Sequence, residues 1–121
     1  MGAGDEGPRH RLIIGSWNVE GLTDIKLEEI SIYMHNNSVD ILAIQETRKL
    51  KSDSYVTEDG YLVYLSGSCT DDKEWAGVGL IISPEMRKYM IGFIAFSNRI
   101  CSLKLRVVGV ATFVHRMLRT T

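Results

Sequence analysis

Two tripeptides, each following a short apolar run, carry the side chains in this chain that are best suited to chemistry. They are Trp17-Asn18-Val19 and Gln45-Glu46-Thr47, and the segment between them has helical spacing. Two strands joined by a helix are expected to be parallel neighbours about 4.8 Å apart. Ligands of open α/β sheets bind at the carboxyl ends of strands. Asn18 and Glu46 are therefore expected to meet at one sheet edge, where an amide and a carboxylate suit hydrated Mg²⁺ and a phosphate oxygen.

The elements that position these two side chains follow from apolar spacing. Residues 11–19 are predicted to form a buried strand with a polar exit, and residues 39–44 a second strand. Between them, Thr23 or Asp24 can cap an amphipathic helix that stops at Asn36-Asn37. Its apolar face is predicted to contain Leu27, Ile30 and Met34. The order of elements predicts a βαβ unit.

The rest of the chain reads as a polar loop followed by hairpins. Residues 48–60 are polar and are predicted to form a surface loop. Strands are predicted over 61–65 and 75–82, and small residues in the second permit close approach of another backbone or side chain. Two further strands are predicted over 91–96 and 99–106 as a hairpin with one apolar face. Residues 107–113 can begin a further strand.

Composition bounds the class of protein. A chain of 121 residues allows one small domain, and 45% hydrophobic with 24% charged residues is ordinary globular composition. Two cysteines without metal-binding spacing do not make a disulfide framework. The acidic start has no apolar run behind it, and no stretch approaches the ~20 apolar residues of a membrane span. We expect an intracellular protein, nuclear or cytoplasmic, that is not secreted and has no membrane partner.

Charge is distributed unevenly along the chain. Residues 1–86 hold seven Lys/Arg and fifteen Asp/Glu, a net charge of −8, whereas residues 87–121 hold seven Lys/Arg and no acid, a net charge of +7. A basic segment can lie along a nucleic-acid backbone. Alternatively, charged side chains at alternate positions of edge strands keep those strands from aggregating. Charge alone favours this second explanation over nucleic-acid binding.

Three segments together resemble the endonuclease/exonuclease/phosphatase family. They are Ser16-Trp17-Asn18-Val19-Glu20-Gly21-Leu22, the run from Asp40 through Gln45-Glu46-Thr47-Arg48, and Ala76-Gly77-Val78-Gly79-Leu80-Ile81-Ile82-Ser83. Gly60-Tyr61 and Ser97-Asn98-Arg99-Ile100 look most like the endonuclease domains of LINE-type retrotransposons and the related craniofacial-development-protein-2-like proteins. The resemblance covers about residues 11–106.

This resemblance implies a four-layered α/β sandwich that hydrolyses phosphodiesters, here of DNA, with Mg²⁺ or Mn²⁺. Glu46 matches the metal-binding glutamate of the family. Asn18 matches the asparagine that organises the metal and the reacting phosphate. Glu20 falls where members often carry an acidic residue near a second metal position. Hard cations take such oxygen ligands, and a metal polarises the phosphate while stabilising the leaving alkoxide.

Later motifs of the family have no counterpart here. The tyrosine, the Asp-x-Asn pair and the terminal Asp-His pair are missing, and no Asp or Glu follows Glu85. We therefore expect a truncated N-terminal half of the fold with an incomplete metal site, inactive alone: residues 1–10 a flexible leader, 11–106 a partial domain and 107–121 a divergent tail. The inner sheet face of residues 61–65, 78–82 and 101–105 would then lack its partner, which predicts self-association or a protein partner.

Simpler explanations stay open for the single residues and for the whole chain. Asn18 can turn the backbone, Glu46 can pair with Arg48, and Glu20 can be merely solvated; the family match favours a functional role for Asn18 and Glu46. We assign no catalytic role to the histidines. Alternatives for the protein are a non-catalytic interaction product that uses an exposed sheet edge, and a phosphatase of inositol lipids or sphingomyelin from the same superfamily.

Overall fold

The chain forms one βαβ unit, which is followed by antiparallel strands. A computed structural model of the chain describes residues 12–67, 77–95, 97, 100–106 and 110–116. The elements within these residues are β1 (Ile14–Asn18), α1 (Asp24–Asn37), β2 (Ile41–Gln45), β3 (Asp53–Val56), β4 (Leu62–Ser66), β5 (Val78–Ile82), a 3-10 turn (Arg87–Tyr89), β6 (Met90–Ala95), β7 (Ile100–Arg106) and β8 (Val110–Arg116). The predicted leader, residues 1–10, lies outside the described residues.

The strands form two sheets. The first has the order β1-β2-β5-β4-β3, and the second has the order β6-β7-β8. β1 and β2 are parallel, with Asn18 opposite Gln45, and α1 connects them. The other neighbours in both sheets are antiparallel. The predicted βαβ unit and both predicted hairpins are thus confirmed, and the protein is a mixed α/β fold.

Local sequence signals determine where α1 begins and ends. The Thr23 hydroxyl oxygen accepts a hydrogen bond of 3.1 Å from the backbone N–H of Lys26, which satisfies one of the free donors of the first turn. After Asn37, Ser38 adopts a left-handed conformation with φ of 55°, and its N–H donates to the last carbonyls of the helix. The predicted cap and stop are both present.

The two faces of α1 differ less than the sequence predicts. Ile30 and Met34 are buried against the first sheet, as expected. Ile25 and Ile32, however, are 72% and 61% exposed on the opposite side of the helix. The helix is therefore held by its buried stripe rather than by a clean division between apolar and polar faces. No helix within the described ranges is long and apolar enough to cross a membrane.

Two apolar cores lie on either side of the first sheet. Leu42, Ile44 and Ile81 face α1, while Ile41, Leu80 and Ile82 face the second sheet, as the alternation of side chains along each strand requires. β5 is the central strand, between β2 and β4, and is buried along its whole length. The result is three packed layers: helix, sheet and sheet.

The second sheet covers the face that the sequence predicts to be open. Cys101, Leu103 and Leu105 of β7 are at most 1% exposed and pack in the same core as Leu80 and Ile82. The rings of Tyr64 on β4 and Phe93 on β6 stack between the sheets at 4.2 Å. The expectation of an unpartnered inner face is therefore wrong, because β6 and β7 fold back over β4 and β5 instead of extending the first sheet.

Two predictions about strands are also wrong. The strand predicted over 11–19 is not buried: β1 is shorter, lies at the edge of its sheet, and leaves Ile14 46% exposed. The predicted loop over 48–60 contains β3, whose four residues are all exposed. β3 pairs antiparallel with β4, so its backbone hydrogen bonds and not a buried side-chain row define it.

β8 lies within the segment predicted as a divergent tail. Its backbone pairs with β7 from Val110 opposite Arg106 to Arg116 opposite Ile100. The strand that residues 107–113 are predicted to begin is therefore present and continues to Arg116.

Candidate functional site

Asn18 and Glu46 touch at the carboxyl edge of the first sheet. Nδ2 of Asn18, the last residue of β1, donates a hydrogen bond of 3.1 Å to Oε2 of Glu46, the residue that follows β2. The parallel pairing of β1 with β2 brings their ends together, as the order of elements predicts. Asn18 is exposed and Glu46 half-buried, so both are accessible to a ligand.

The loop between β1 and α1 is tied to the exit of β2 by consecutive backbone hydrogen bonds. The N–H groups of Val19, Gly21 and Leu22 donate to the carbonyls of Gln45, Glu46 and Thr47 at 3.0, 2.7 and 2.9 Å. These bonds extend the parallel pairing beyond the ends of both strands. The site is therefore built on hydrogen-bonded backbone and not on a free loop.

Three charged residues at this edge hold a left-handed backbone. Glu20, Glu46 and Arg48 have φ of 51°, 55° and 60°. A residue with a Cβ pays about 1–2 kcal/mol for this conformation. Such conformations persist where the surrounding structure determines them, and they cluster at functional sites. Here the N–H of Gly21 donates to the Glu46 carbonyl and holds the backbone from which the Glu46 side chain extends.

Thr47 anchors the backbone beneath Glu46. It is 1% exposed, its N–H donates 3.2 Å to the carbonyl of Gly77, and its hydroxyl accepts from the N–H of Lys49 at 3.3 Å. Gly77 has φ of 109°, and a Cβ there would collide with the Thr47 hydroxyl. The close approach that the small residues of this segment predict is thus confirmed.

The amide of Asn18 is oriented from both ends. Its Nδ2 donates to Glu46, and its Oδ1 accepts a hydrogen bond of 3.2 Å from the backbone N–H of Glu20. Asn18 is therefore positioned to orient the Glu46 carboxylate. Next to Glu46 in sequence, Nε2 of Gln45 donates a hydrogen bond of 3.0 Å to the Ser16 hydroxyl, which forms a second polar contact between β1 and β2.

The three charged residues at this edge are not paired with one another. In the described part of the chain no ion pair joins Glu20, Glu46 or Arg48 to another residue, so the simple pairing of Glu46 with Arg48 does not occur. No cluster of three His, Cys, Asp or Glu side chains is found among the described residues. The edge therefore presents one carboxylate, Glu46, oriented by an amide, and a cation bound there would take most of its ligands from water, as Mg²⁺ commonly does.

Other predicted or conspicuous residues have structural roles. Oδ2 of Asp40 accepts a hydrogen bond of 2.8 Å from the N–H of Ile13 and fixes the start of β2 against the segment before β1. Trp17 packs against the core, with Tyr33 edge-on at 5.7 Å and the Lys26 ammonium 5.9 Å from its ring. Trp75 lies outside the described residues.

A broad cleft elsewhere is lined by acids but does not share this organisation. Asp24 and Glu28 of α1 face Glu58 and Asp59 of the β3–β4 turn, and all four are exposed. The cleft is concave, yet its carboxylates are solvated and Asp59 is engaged by the Thr57 hydroxyl at 2.6 Å. Among the described residues, we place the functional site at the Asn18–Glu46 edge because there an amide orients a carboxylate and the backbone has three positive φ angles.

Sequence reasoning named Gln45, Thr47 and Arg48 but assigned none of them a functional role at this edge. Thr47 and Arg48 follow Glu46 directly, and Gln45 precedes it, so proximity in the sequence was the available signal. Their roles depend on backbone dihedrals and on the register with β1, which residue types do not encode.

Comparison of the chain with models of known protein families gives no match, and comparison with curated proteins gives no similar sequence.

Proposed function

We propose that the edge formed by Asn18 and Glu46 binds a hydrated Mg²⁺ or Mn²⁺, and that the chain is a partial phosphodiesterase domain of the endonuclease/exonuclease/phosphatase type acting on DNA. The observation that carries the proposal is the 3.1 Å hydrogen bond from Asn18 Nδ2 to Glu46 Oε2 across the ends of two parallel strands. It leaves Glu46 Oε1 without a hydrogen-bond partner among the described residues, available to a cation.

Each residue has a definable part in this function. Glu46 supplies the carboxylate oxygen for the cation, and Asn18 holds that carboxylate in one orientation. Glu20, exposed and two residues beyond Asn18, offers a second carboxylate at the same edge. When bound, the divalent cation polarises a phosphate oxygen and neutralises the charge of the leaving alkoxide.

The layering supports the four-layered sandwich as the parent fold. Helix, first sheet and second sheet account for three layers, and the candidate site opens at the carboxyl end of the first sheet. His35, the histidine whose side chain the structure describes, belongs to the last turn of α1, and no Asp or Glu follows Glu85. Among the described residues the proposed function thus has a cation-binding group without a water-activating partner, and we expect that the 121-residue chain alone does not cleave DNA.

Binding of Mn²⁺ tests the cation site. Calorimetric titration of the full chain should show weak, saturable binding that Glu46→Gln abolishes, because a neutral amide replaces the charged ligand. Glu58→Gln is the matched control: it removes the same charge from the exposed β3–β4 turn and should leave binding unchanged. Equal binding by the wild type and Glu46→Gln would refute the proposal.

A second candidate function rests on the edge strand β6. Its six residues carry no charge, and Ile91 and Ile94 are 44% and 56% exposed. An uncharged, exposed edge is a site for pairing with another chain. A non-catalytic interaction role therefore predicts self-association, detectable by light scattering, that Ile94→Lys reduces; a monomer at all concentrations would exclude it.

A further inference from the structure

We propose that Arg48 binds a phosphate of the substrate backbone beside the Glu46 cation site, which makes an extended polyanion the substrate class. This inference rests on the proposed cation site at Glu46, which it extends from the metal to the anion. Arg48 is exposed and lies two residues beyond Glu46, at the same sheet edge.

The position of Arg48 is determined by its backbone and by Gly21. Glu46 and Arg48 both adopt positive φ, on either side of buried Thr47. The Arg48 side chain lies over Gly21: a Cβ on Gly21 would be 3.4 Å from Cδ and 3.6 Å from Nη1 of Arg48. Gly21 in turn donates its N–H to the Glu46 carbonyl at 2.7 Å. Guanidinium and carboxylate are thus held by the same short loop.

The charges at this edge are complementary to a cation and an anion bound side by side. Arg48 forms no ion pair or hydrogen bond with the described residues, although Glu46 lies two residues away. The Asn18 amide engages Glu46 instead. The carboxylate is therefore available to a divalent cation and the guanidinium to a phosphate. The planar guanidinium of arginine can donate two parallel hydrogen bonds to phosphate oxygens.

The neighbouring residues favour a long polyanion over a small phosphate ester. Lys49 and Lys51 are exposed and follow Arg48 directly, so three cations lie within four residues of chain. A single phosphate engages one of them, whereas a nucleic-acid backbone can engage several and gains affinity from the release of counterions. Arg48 is the member of this set nearest to Glu46 in sequence and the one that packs on Gly21.

Salt-dependent DNA binding tests the inference on the full chain. Fluorescence anisotropy with a labelled DNA duplex in Mg²⁺ should show that Arg48→Gln weakens binding roughly fivefold and lowers the slope of log K against log salt by about 0.9. Arg48→Lys should keep the slope. Arg106→Gln, the same change at an exposed position on β7, should alter neither quantity.

The outcomes separate this inference from the cation site. If Mn²⁺ binding depends on Glu46 but DNA binding does not depend on Arg48, the inference is wrong and the cation site stands. If the wild type does not bind the duplex, the inference is also wrong, and Mn²⁺ titration alone then decides on the cation site. If DNA binding depends on Arg48 and Mn²⁺ does not bind, the phosphate contact stands and the proposed function fails. Equal losses in Arg48→Gln and Arg106→Gln would show nonspecific charge attraction and would also overturn the inference.

Discussion

Gly77 and Thr47 are in contact so close that no other residue fits at position 77. A Cβ on Gly77 would overlap the Thr47 hydroxyl, and the Gly77 carbonyl accepts the Thr47 N–H at 3.2 Å. Gly77 also has φ of 109°, a conformation that residues with a Cβ rarely adopt. Because Thr47 follows Glu46 directly, the start of β5 fixes the backbone that carries the candidate metal ligand.

Gly77→Ala is expected to destabilise the fold and to weaken Mn²⁺ binding. The unfavourable φ and the overlap with Thr47 together should cost about 2 kcal/mol or more of unfolding free energy, measured by urea denaturation. Gly92→Ala is the control, because a Cβ at Gly92 meets nothing within 4 Å. If the two variants unfold at the same urea concentration, Gly77 does not constrain Thr47 as described.

Asn18→Asp is expected to couple stability to divalent cations. The substitution replaces a donor 3.1 Å from Glu46 Oε2 with a second carboxylate. Repulsion should lower the unfolding free energy by about 1 kcal/mol without metal, a modest cost because the pair is exposed. MgCl₂ should restore that loss by bridging the two carboxylates, whereas NaCl of equal ionic strength should restore less. Identical responses to both salts would mean that no cation site forms between these positions.

The βαβ unit was predictable because its signals are local and redundant. Two apolar runs, a threonine cap and buried Ile30 and Met34 at helical spacing all agree, and the parallel order of β1 and β2 follows. The meeting of Asn18 and Glu46 is a consequence of that topology. Glu46 also has a positive φ where it forms this hydrogen bond, and residue type does not indicate that conformation.

The errors concern features that depend on partners distant in sequence. β3 has four exposed side chains and owes its existence to pairing with β4. Residues 12–17 are mostly apolar and therefore predict a buried strand, but the place of β1 at the edge of the sheet leaves Ile14 exposed. The burial of Leu103 depends on how the second sheet folds over the first. Apolar alternation shows that a strand has a buried face without showing what covers it.

Cys101 is expected to be chemically inert in the folded protein. Burial in the core between the sheets raises the pKa of its thiol from 9.0 to about 12. In a Cys69→Ser background, a thiol reagent at about pH 8 should label Cys101 only after denaturant is added, since the thiolate is the reactive form. Rapid labelling of the native chain would show that this core is open.

The same shift gives the stability a pH dependence with a definite sign. A pKa raised in the folded state means that folding favours the protonated thiol. The contribution of Cys101 is complete below pH 9 and is lost as the pH rises from 9 toward about 12. Urea midpoints of the Cys69→Ser chain should fall over this range more than those of a Cys69→Ser/Cys101→Ala chain. Parallel curves would exclude the effect.

Leu103→Ala tests whether the second sheet truly covers the first. Leu103 is 1% exposed and shares its core with Leu80 and Ile82, so its truncation should remove about 3 kcal/mol of unfolding free energy through lost burial and a residual cavity. Ile94→Ala is the matched control on β6, where the side chain is 56% exposed and the expected change is within about 0.5 kcal/mol.

Urea denaturation measures the unfolding free energy of both variants, and a hydrophobic dye reports whether the inter-sheet face is accessible. A closed interface predicts a large loss for Leu103→Ala alone and little dye binding by the wild type. If both variants lose the same small amount and the wild type binds the dye strongly, the sheets are not packed together, and the exposed inner face would again favour self-association.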